Sequence, residues 1–525
     1  MSLLSGGTRQ AGARLALVVL AVAVALAIVR LPLPLAAALA LGGAAAILTL
    51  IFPLLGLGLA LLLGPWGALE NVRAAQGMAT LGVGLLDSGQ LALLLALAAW
   101  LASCLARRRL VVPFTPLNLP WLLFVLVGLV SLLDAPSVAL GLVELLKWLE
   151  MGLIVWLVVD LATDPARRPA GPAAITRWLL ALLLVAGLSQ AAIGIWQFGL
   201  RGDGPEHFLV LGRFYRAYGT FEQPNPFGGY MNLTALLAAG AALGLVLDRG
   251  SLRRSTEGAW PSRWLWLAFA LVCAVAASLA LVFSWSRGAW LGFLAGAAVL
   301  VLFSARRPAA GVVLGVAAAA VLGGGLLLGA RGGFAPALSI TGRLAGFAGE
   351  FTLGDVRGTD INDANYAVLE RLAHWQAAVD MARDDLWTGV GFGNYEAAYA
   401  RYALINWPDA LGHAHNYYLT LLAEVGAPGL LAYGLLWLVV TAQTTRLARR
   451  LPWPERGVAV GLLAAWAALA VHHMVDKLYV NNIYVHIGAM VGLLQLLALR
   501  DFEMGVSGGE RAGEWPRLKP PQQGR

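Results

Sequence analysis

The chain has 525 residues, 59% of them hydrophobic and only 13% charged, where an ordinary soluble domain carries roughly 25% charged residues. Its apolar residues come in runs of about 17–25, long enough to cross a hydrocarbon core of roughly 30 Å, which excludes a soluble globular protein and points to a polytopic membrane protein. The formal net charge of +8 is carried by arginines in short segments between those runs, a signature of membrane topology and not of nucleic-acid binding.

In chain order, spans are expected near 13–30, 33–50, 51–65, 88–105, 119–134, 139–162, 175–197, 226–247, 263–282, 288–304, 309–329, 415–441, 457–475 and 480–499. Arg9 and Arg14 before the first run resemble a signal peptide, but the many spans that follow favour an uncleaved helix. Pro32, Pro34 and Pro53 interrupt the 31–65 region, which reads as two spans or as a broken hairpin. With fourteen spans and a cytoplasmic N-terminus, every arginine cluster falls inside: Arg107 to Arg109, Arg167 and Arg168, Arg249, Arg253 and Arg254, Arg306 and Arg307, and Arg446, Arg449 and Arg450. Both termini are then cytoplasmic. The resulting layout has a cytoplasmic stretch at 1–12, an N-terminal bundle at 13–197, an outer loop at 198–225, further spans at 226–329, a long outer loop at 330–414, C-terminal spans at 415–499 and a cytoplasmic tail at 500–525. Cys104 and Cys273 lie inside apolar spans and read as small core hydrophobes. Glu144, Lys147 and Glu150 share one span at helical spacing and read as a neutralising cluster.

The long outer loop is not low-complexity. Leu369, Leu372, Trp375 and Val379 recur at helical spacing, so an amphipathic helix is expected over 365–384, lying on the membrane face as a lid or wall, or simply docking there.

Three polar sites fall at the start of out-to-in spans. In the first, Arg213-Phe214-Tyr215-Arg216-Ala217-Tyr218-Gly219-Thr220 leads to Pro224-Asn225-Pro226, with Asn225 as N-cap and Pro226 as the first helical residue. In the second, Ser284-Trp285-Ser286-Arg287-Gly288, Arg287 is either a ligand-binding cation or a snorkelling interfacial arginine among belt tryptophans. The third is His413-Ala414-His415-Asn416. On an ideal helix His415, Leu419, Leu422, Gly426, Gly429 and Tyr433 share one face. The glycines then make a groove below His415, either for a neighbouring helix or for a lipid chain, with a kink expected at Pro428. Positive helix ends and arginines on one surface suit a phosphate, and a histidine beside them suits general-base work. His413, His374 and Arg371 are weaker candidates, and His472, His473, Asp476 and Lys477 are candidates for the rim. The Gly389-x-Gly391-x-Gly393 run lacks a βαβ context and is not a dinucleotide fingerprint.

At these residues the chain resembles the O-antigen ligase and polymerase superfamily of bacterial membrane glycosyltransferases. The resemblance rests on His415-Asn416, nine residues, then Gly426-Ala427-Pro428-Gly429. It is supported by Arg216-x-Tyr-Gly219 with Asn225, by Ser286-Arg287-Gly288, by the Arg371 to Trp375 helix and by the Thr388 to Gly393 turn, over roughly 200–500. Trp387 stands where the family commonly has proline. The resemblance implies an all-α, GT-C-like polytopic fold of about 12–14 transmembrane helices with a partly helical long periplasmic loop. It also implies a bacterial inner-membrane enzyme whose active site faces the periplasm. The donor would be an undecaprenyl-diphosphate-linked glycan, the acceptor a glycan, lipid or protein hydroxyl, and membrane lipids the surroundings, with no nucleic acid, no cofactor and no metal. His415 would be the base. Arg216 and Arg287 would hold the diphosphate, and Arg213, Asn225, Arg371, His413, Asn416, Gly426 and Gly429 would support the site. The alternatives are a polymerase of the same superfamily and a lipid-linked-oligosaccharide flippase. A flippase would place charge at mid-membrane in both halves.

Overall fold

The computed structural model describes residues 31–78, 80, 82, 86–108, 112–164, 171–248, 263–304, 355–361 and 365–507. Apolar chain in a bilayer must satisfy every backbone amide internally, so the long hydrophobic runs become helices. In chain order these are α1 (Leu33–Ile51), α2 (Pro53–Leu63), α3 (Gly67–Ala75), α4 (Ser88–Ala106), α5 (Asn118–Val130), α6 (Val138–Thr163), α7 (Gly171–Gly199), α8 (Pro224–Leu247), α9 (Arg263–Phe283), α10 (Arg287–Ser304), α11 (Tyr366–Asp384), α12 (Tyr395–Tyr399), α13 (Tyr417–Arg450), α14 (Glu455–His472) and α15 (Ile483–Ser507). A two-stranded antiparallel hairpin, β1 (Leu209–Val210) with β2 (Phe214–Tyr215), pairs Leu209 with Tyr215.

This is an all-α polytopic membrane protein. Among the described residues nine helices are long and apolar enough to cross a membrane, and Ala40–Ile51 and Asn118–Val130 are shorter apolar stretches. Nine of the expected spans, at 51–65, 88–105, 175–197, 226–247, 263–282, 288–304, 415–441, 457–475 and 480–499, coincide with these nine helices. The segment at 119–134 is a helix of only 13 residues. The 139–162 segment is a 26-residue helix with Glu144, Lys147, Glu150 and Asp160 along it. The expected spans at 13–30 and 309–329 lie outside the described residues. Outward-facing Trp264, Leu265, Val272 and Val275 of α9 are more than 50% exposed, as side chains facing lipid would be.

The bundle centres on α8, which packs against α9, α10 and α14. Gly240 and Gly244 of α8 lie against Gly457 and Gly461 of α14, where a methyl group on Gly240 would strike the backbone of Gly461. Small residues let two membrane helices approach closely in this way. α6 packs on α15 and α2 on α4. Polar links fasten the end of the bundle where the loops gather. Asn482 donates to the Gly64 carbonyl (3.0 Å) and to Asp87 Oδ2 (2.8 Å). Asp87 and Gln90 form a reciprocal capping box on α4.

Candidate active site

The histidine turn is built by its cap. Asn416 has extended backbone, and its Oδ1 accepts the Leu419 amide at 3.1 Å, so α13 begins at Tyr417. Asparagine is far better as an N-cap than inside a helix. His415 therefore sits outside the helix, in left-handed backbone at φ 50°, a conformation worth about 1–2 kcal/mol of strain in an L-residue. Three bonds hold it there. The His415 amide donates to His413 Nδ1 (3.0 Å), the Ala414 amide to Thr420 Oγ1 (3.2 Å), and the Tyr417 amide to the His473 carbonyl (2.8 Å). The rings of His413 and His415 meet edge to face, 4.6 Å between centroids.

Around this turn the structure brings together residues that are far apart in the chain. His413 Nε2 lies 3.6 Å from Asp476 Oδ1, in the segment between α14 and α15. Asn225 hydrogen-bonds Asp476, and its own Oδ1 accepts from Arg216 Nη2 at 3.2 Å. Arg216 Nε donates to the Ser284 carbonyl at 2.9 Å, which ties the first arginine motif to the second. Arg287, half-buried, opens α10. The neighbouring Gly288 has its backbone against Val475, the residue before Asp476. α11 closes the other side. His374 lies 6.0 Å from His415 by ring centroid, stacks on Tyr399 at 4.6 Å and has Nδ1 3.0 Å from the Tyr395 hydroxyl. The Tyr395 hydroxyl donates to the His374 carbonyl, so it receives the Nδ1 proton. Arg371, one turn earlier on α11, faces His415, His413 and Asp476 electrostatically.

Burial dominates the titration of this cluster. It drives His413 well below the ordinary histidine range, helped by the charges of His415 and Lys477. Burial, then the charges of Arg371 and His374, bring His415 down to about 3. Burial alone brings His374 down to about 4 and lifts Asp476 to about 6 despite its hydrogen bonds. All three imidazoles are neutral near pH 7, and His415 Nδ1 is buried with no hydrogen-bond partner among the described residues. The ligand atoms of His413, His415 and Asp476 lie within 4.8 Å of one another, in type a cation's ligand set. The tautomer speaks against that use. His413 Nδ1 accepts an amide proton, so Nε2 carries the ring proton and turns it toward Asp476. A metal-bound Nε2 would need that proton removed and Nδ1 protonated.

Several expectations change. Gly426 and Gly429 do not form a slot below His415, because the helix that was to align them starts after it. Gly426 (φ 65°, ψ −172°) interrupts α13 two residues before Pro428, and the turn at 386–390 fills the space. Ala427 donates to the Leu386 carbonyl and Val390 to the Ala423 carbonyl, both at 2.8 Å. α8 starts at Pro224 with Gln223 as its cap, not at Pro226 with Asn225, because proline already suits the first position at 224. That frees the Asn225 side chain for Arg216 and Asp476. Arg213 stays apart from the cluster, exposed at the hairpin turn with its guanidinium over Phe214. The Glu144, Lys147 and Glu150 cluster divides. Lys147 pairs with Glu144 at 2.6 Å, the second Glu144 oxygen takes Lys477 at 3.1 Å, and Glu150 accepts from Tyr484 instead. Of the rim candidates, Asp476 joins the site, whereas His473 packs among Tyr417, Tyr418 and Tyr479. Sequence reading gave Asp476 no connection to His413. The available signal was an acidic residue beside histidines at the end of a span.

Residues 272–434 match the family model described as O-antigen ligase, which bears out the resemblance to the O-antigen ligase superfamily and supports a membrane ligase or polymerase of the glycosyltransferase kind. The match includes Arg287, Arg371, His413, His415, Gly426 and Gly429 and stops short of Arg216, Asn225 and Asp476. No curated protein matches the chain.

Proposed function

We propose that the protein is a glycan ligase that moves a glycan from undecaprenyl diphosphate to an acceptor hydroxyl at the periplasmic face of a bacterial inner membrane, with both termini cytoplasmic. The observation that carries this reading is a neutral histidine, its Nδ1 without a hydrogen-bond partner among the described residues, at a turn that Arg371 faces and that Asp476 and Asn225 link to Arg216. The acceptor oxygen attacks the anomeric carbon of the donor sugar from the face opposite the diphosphate. Its proton passes to His415. The bond from the anomeric carbon to the diphosphate oxygen breaks, and undecaprenyl diphosphate leaves with the electron pair, giving inversion. Arg216 and Arg287, with Arg371 of α11, meet the charge that grows on the leaving group. No step draws on a metal or cofactor.

A histidine held at about 3 is free to accept a proton at neutral pH but is a weak base. The donor corrects this. Its diphosphate offsets the positive field of Arg371 that helps to depress His415, so the base strengthens when substrate is bound. The chemistry is common to ligation, polymerisation and transfer to protein, and the acceptor distinguishes them. The test is reconstitution in proteoliposomes with an undecaprenyl-diphosphate glycan and candidate lipid, glycan and protein acceptors, with products read by mass spectrometry. His415→Ala is expected to lower turnover by a hundredfold or more, the usual size of a general-base effect of about 10²–10⁴, without altering thermal stability in detergent. Wild-type-like turnover by His415→Ala would falsify the assignment.

A further inference from the structure

The side of α11 turned away from His415 carries a cavity of about 450 Å³, open to solvent. This is the size of a small-molecule pocket, which runs to about 300–1,000 Å³. Its polar lining is Asp355, Arg357, Gln376, Asp380 and Arg383, and its apolar lining is Leu372, Trp375, Val379 and Leu419. We propose that this groove is a saccharide subsite holding neutral sugar units next to the reacting one. The assignment rests on the glycan-transfer reading of the histidine site.

Three observations carry it. First, the lining is two-faced. A pyranose has apolar C–H faces and hydroxyl edges, and here an indole and three aliphatic side chains meet carboxylates, an amide and guanidinium groups within one groove. Second, the charges are already matched. Arg383 Nη1 is 3.0 Å from Asp380 Oδ1 and Arg357 Nη1 is 3.7 Å from Asp355 Oδ2, while Gln376 Nε2 donates to Asp355 Oδ1 at 3.3 Å. Among the described residues that line the groove a diphosphate finds no surplus of cations, whereas hydroxyl groups find both donors and acceptors. Third, the groove adjoins the base. Leu419 in its floor is capped by Asn416, the neighbour of His415. Arg371 and His374, on the opposite flank of the same helix, face His415. A glycan lying in the groove reaches the base by crossing the edge of one helix.

The experiment uses the full chain in proteoliposomes. The native lipid-linked donor, extracted from the producing cell, is supplied at full length or trimmed by exoglycosidase to its first sugar, and the acceptor is treated in the same way. Trp375→Ala is expected to reduce about tenfold the ratio of kcat/KM for full-length over trimmed substrate, the scale of one lost aromatic contact, with Trp375→Phe restoring most of it. A change in the donor series places the donor glycan in the groove, and a change in the acceptor series places the acceptor there. An unchanged ratio in both series, or an equal loss for full-length and trimmed substrates, overturns the subsite. If wild-type protein transfers nothing, the glycan-transfer reading fails separately. The groove is then judged by equilibrium binding of the free neutral oligosaccharide cleaved from the donor. Weaker binding to Trp375→Ala than to wild type upholds it, and equal binding overturns it.

Discussion

Asn225 serves two charged side chains at once. Its carbonyl oxygen accepts from Arg216, and its amide bonds Asp476, which faces His413. The phosphate-binding side of the proposed site and the histidine turn are thus joined by one neutral residue. Asn225→Leu keeps the approximate volume and removes both bonds, leaving a carboxylate and a guanidinium each short of a partner. Loss of a buried hydrogen-bond partner costs about 1–3 kcal/mol, so kcat/KM is expected to fall about ten- to a hundredfold in the reconstituted transfer assay. A variant within twofold of wild type would show that the bridge does not matter to the reaction. Sequence reading selected Asn225 as a site residue but assigned it a helix cap. The side chain does its work through a partner in another part of the chain, and nothing local to residue 225 reveals that. His415, Arg216 and Arg287 could be proposed from sequence because each is a polar residue at the mouth of an apolar span, where its presence demands a reason, and Arg371 because it lies on the amphipathic helix of the outer loop.

At the scale of elements, α13 shows where periodicity misleads. Projection on an ideal helix aligned His415 with Gly426 and Gly429, but the helix begins after His415 and breaks at Gly426. The break serves the 386–390 turn. A Cβ on Gly426 would stand 2.5 Å from the Leu386 carbonyl oxygen, and its φ of 65° with ψ of −172° belongs to a region that other residues enter only at about 1–3 kcal/mol. Gly426→Ala is therefore expected to lower the Tm in detergent by several degrees and to expose the 386–399 segment to protease. Gly434, with nothing within 4 Å of its missing Cβ, makes the comparison. Gly434→Ala should leave the Tm equal or slightly higher, since alanine favours helix over glycine by about 1 kcal/mol. Equal losses at the two positions would mean that the turn contact contributes nothing. The existence of α11 and its bounds within a residue of 365–384 followed from its apolar spacing, because an amphipathic helix records its buried face in sequence.

For the whole molecule, the span pattern was readable from hydropathy. Hydropathy alone does not separate a short apolar helix such as Asn118–Val130, or a charge-bearing one such as α6, from the nine longer apolar helices. The loop face carries a pH response of definite sign. His374 at about 4, His415 at about 3 and His413 well below its ordinary value bind protons only when this layer opens. Their contribution to stability is complete above the unfolded histidine value of roughly 6.5 and is lost as pH falls toward about 4. Asp476, raised to about 6, acts in the opposite sense between about 4 and 6, but one carboxyl opposes three imidazoles. Hydrogen exchange over 366–416 is expected to quicken on going from pH 7.5 to pH 5 after correction for intrinsic rates, and exchange that slows would reverse the sign assigned here. The bridge from Arg216 through Asn225 to Asp476 has a last consequence, for grafting. The stretch that matches the ligase family ends at residue 434, yet the proposed base is set by partners on either side of that stretch. A chimera that transplants residues 272–434 into a relative's scaffold would inherit the histidine without its neighbours, and would work only where the host supplies an equivalent amide and carboxylate at the same two helix mouths.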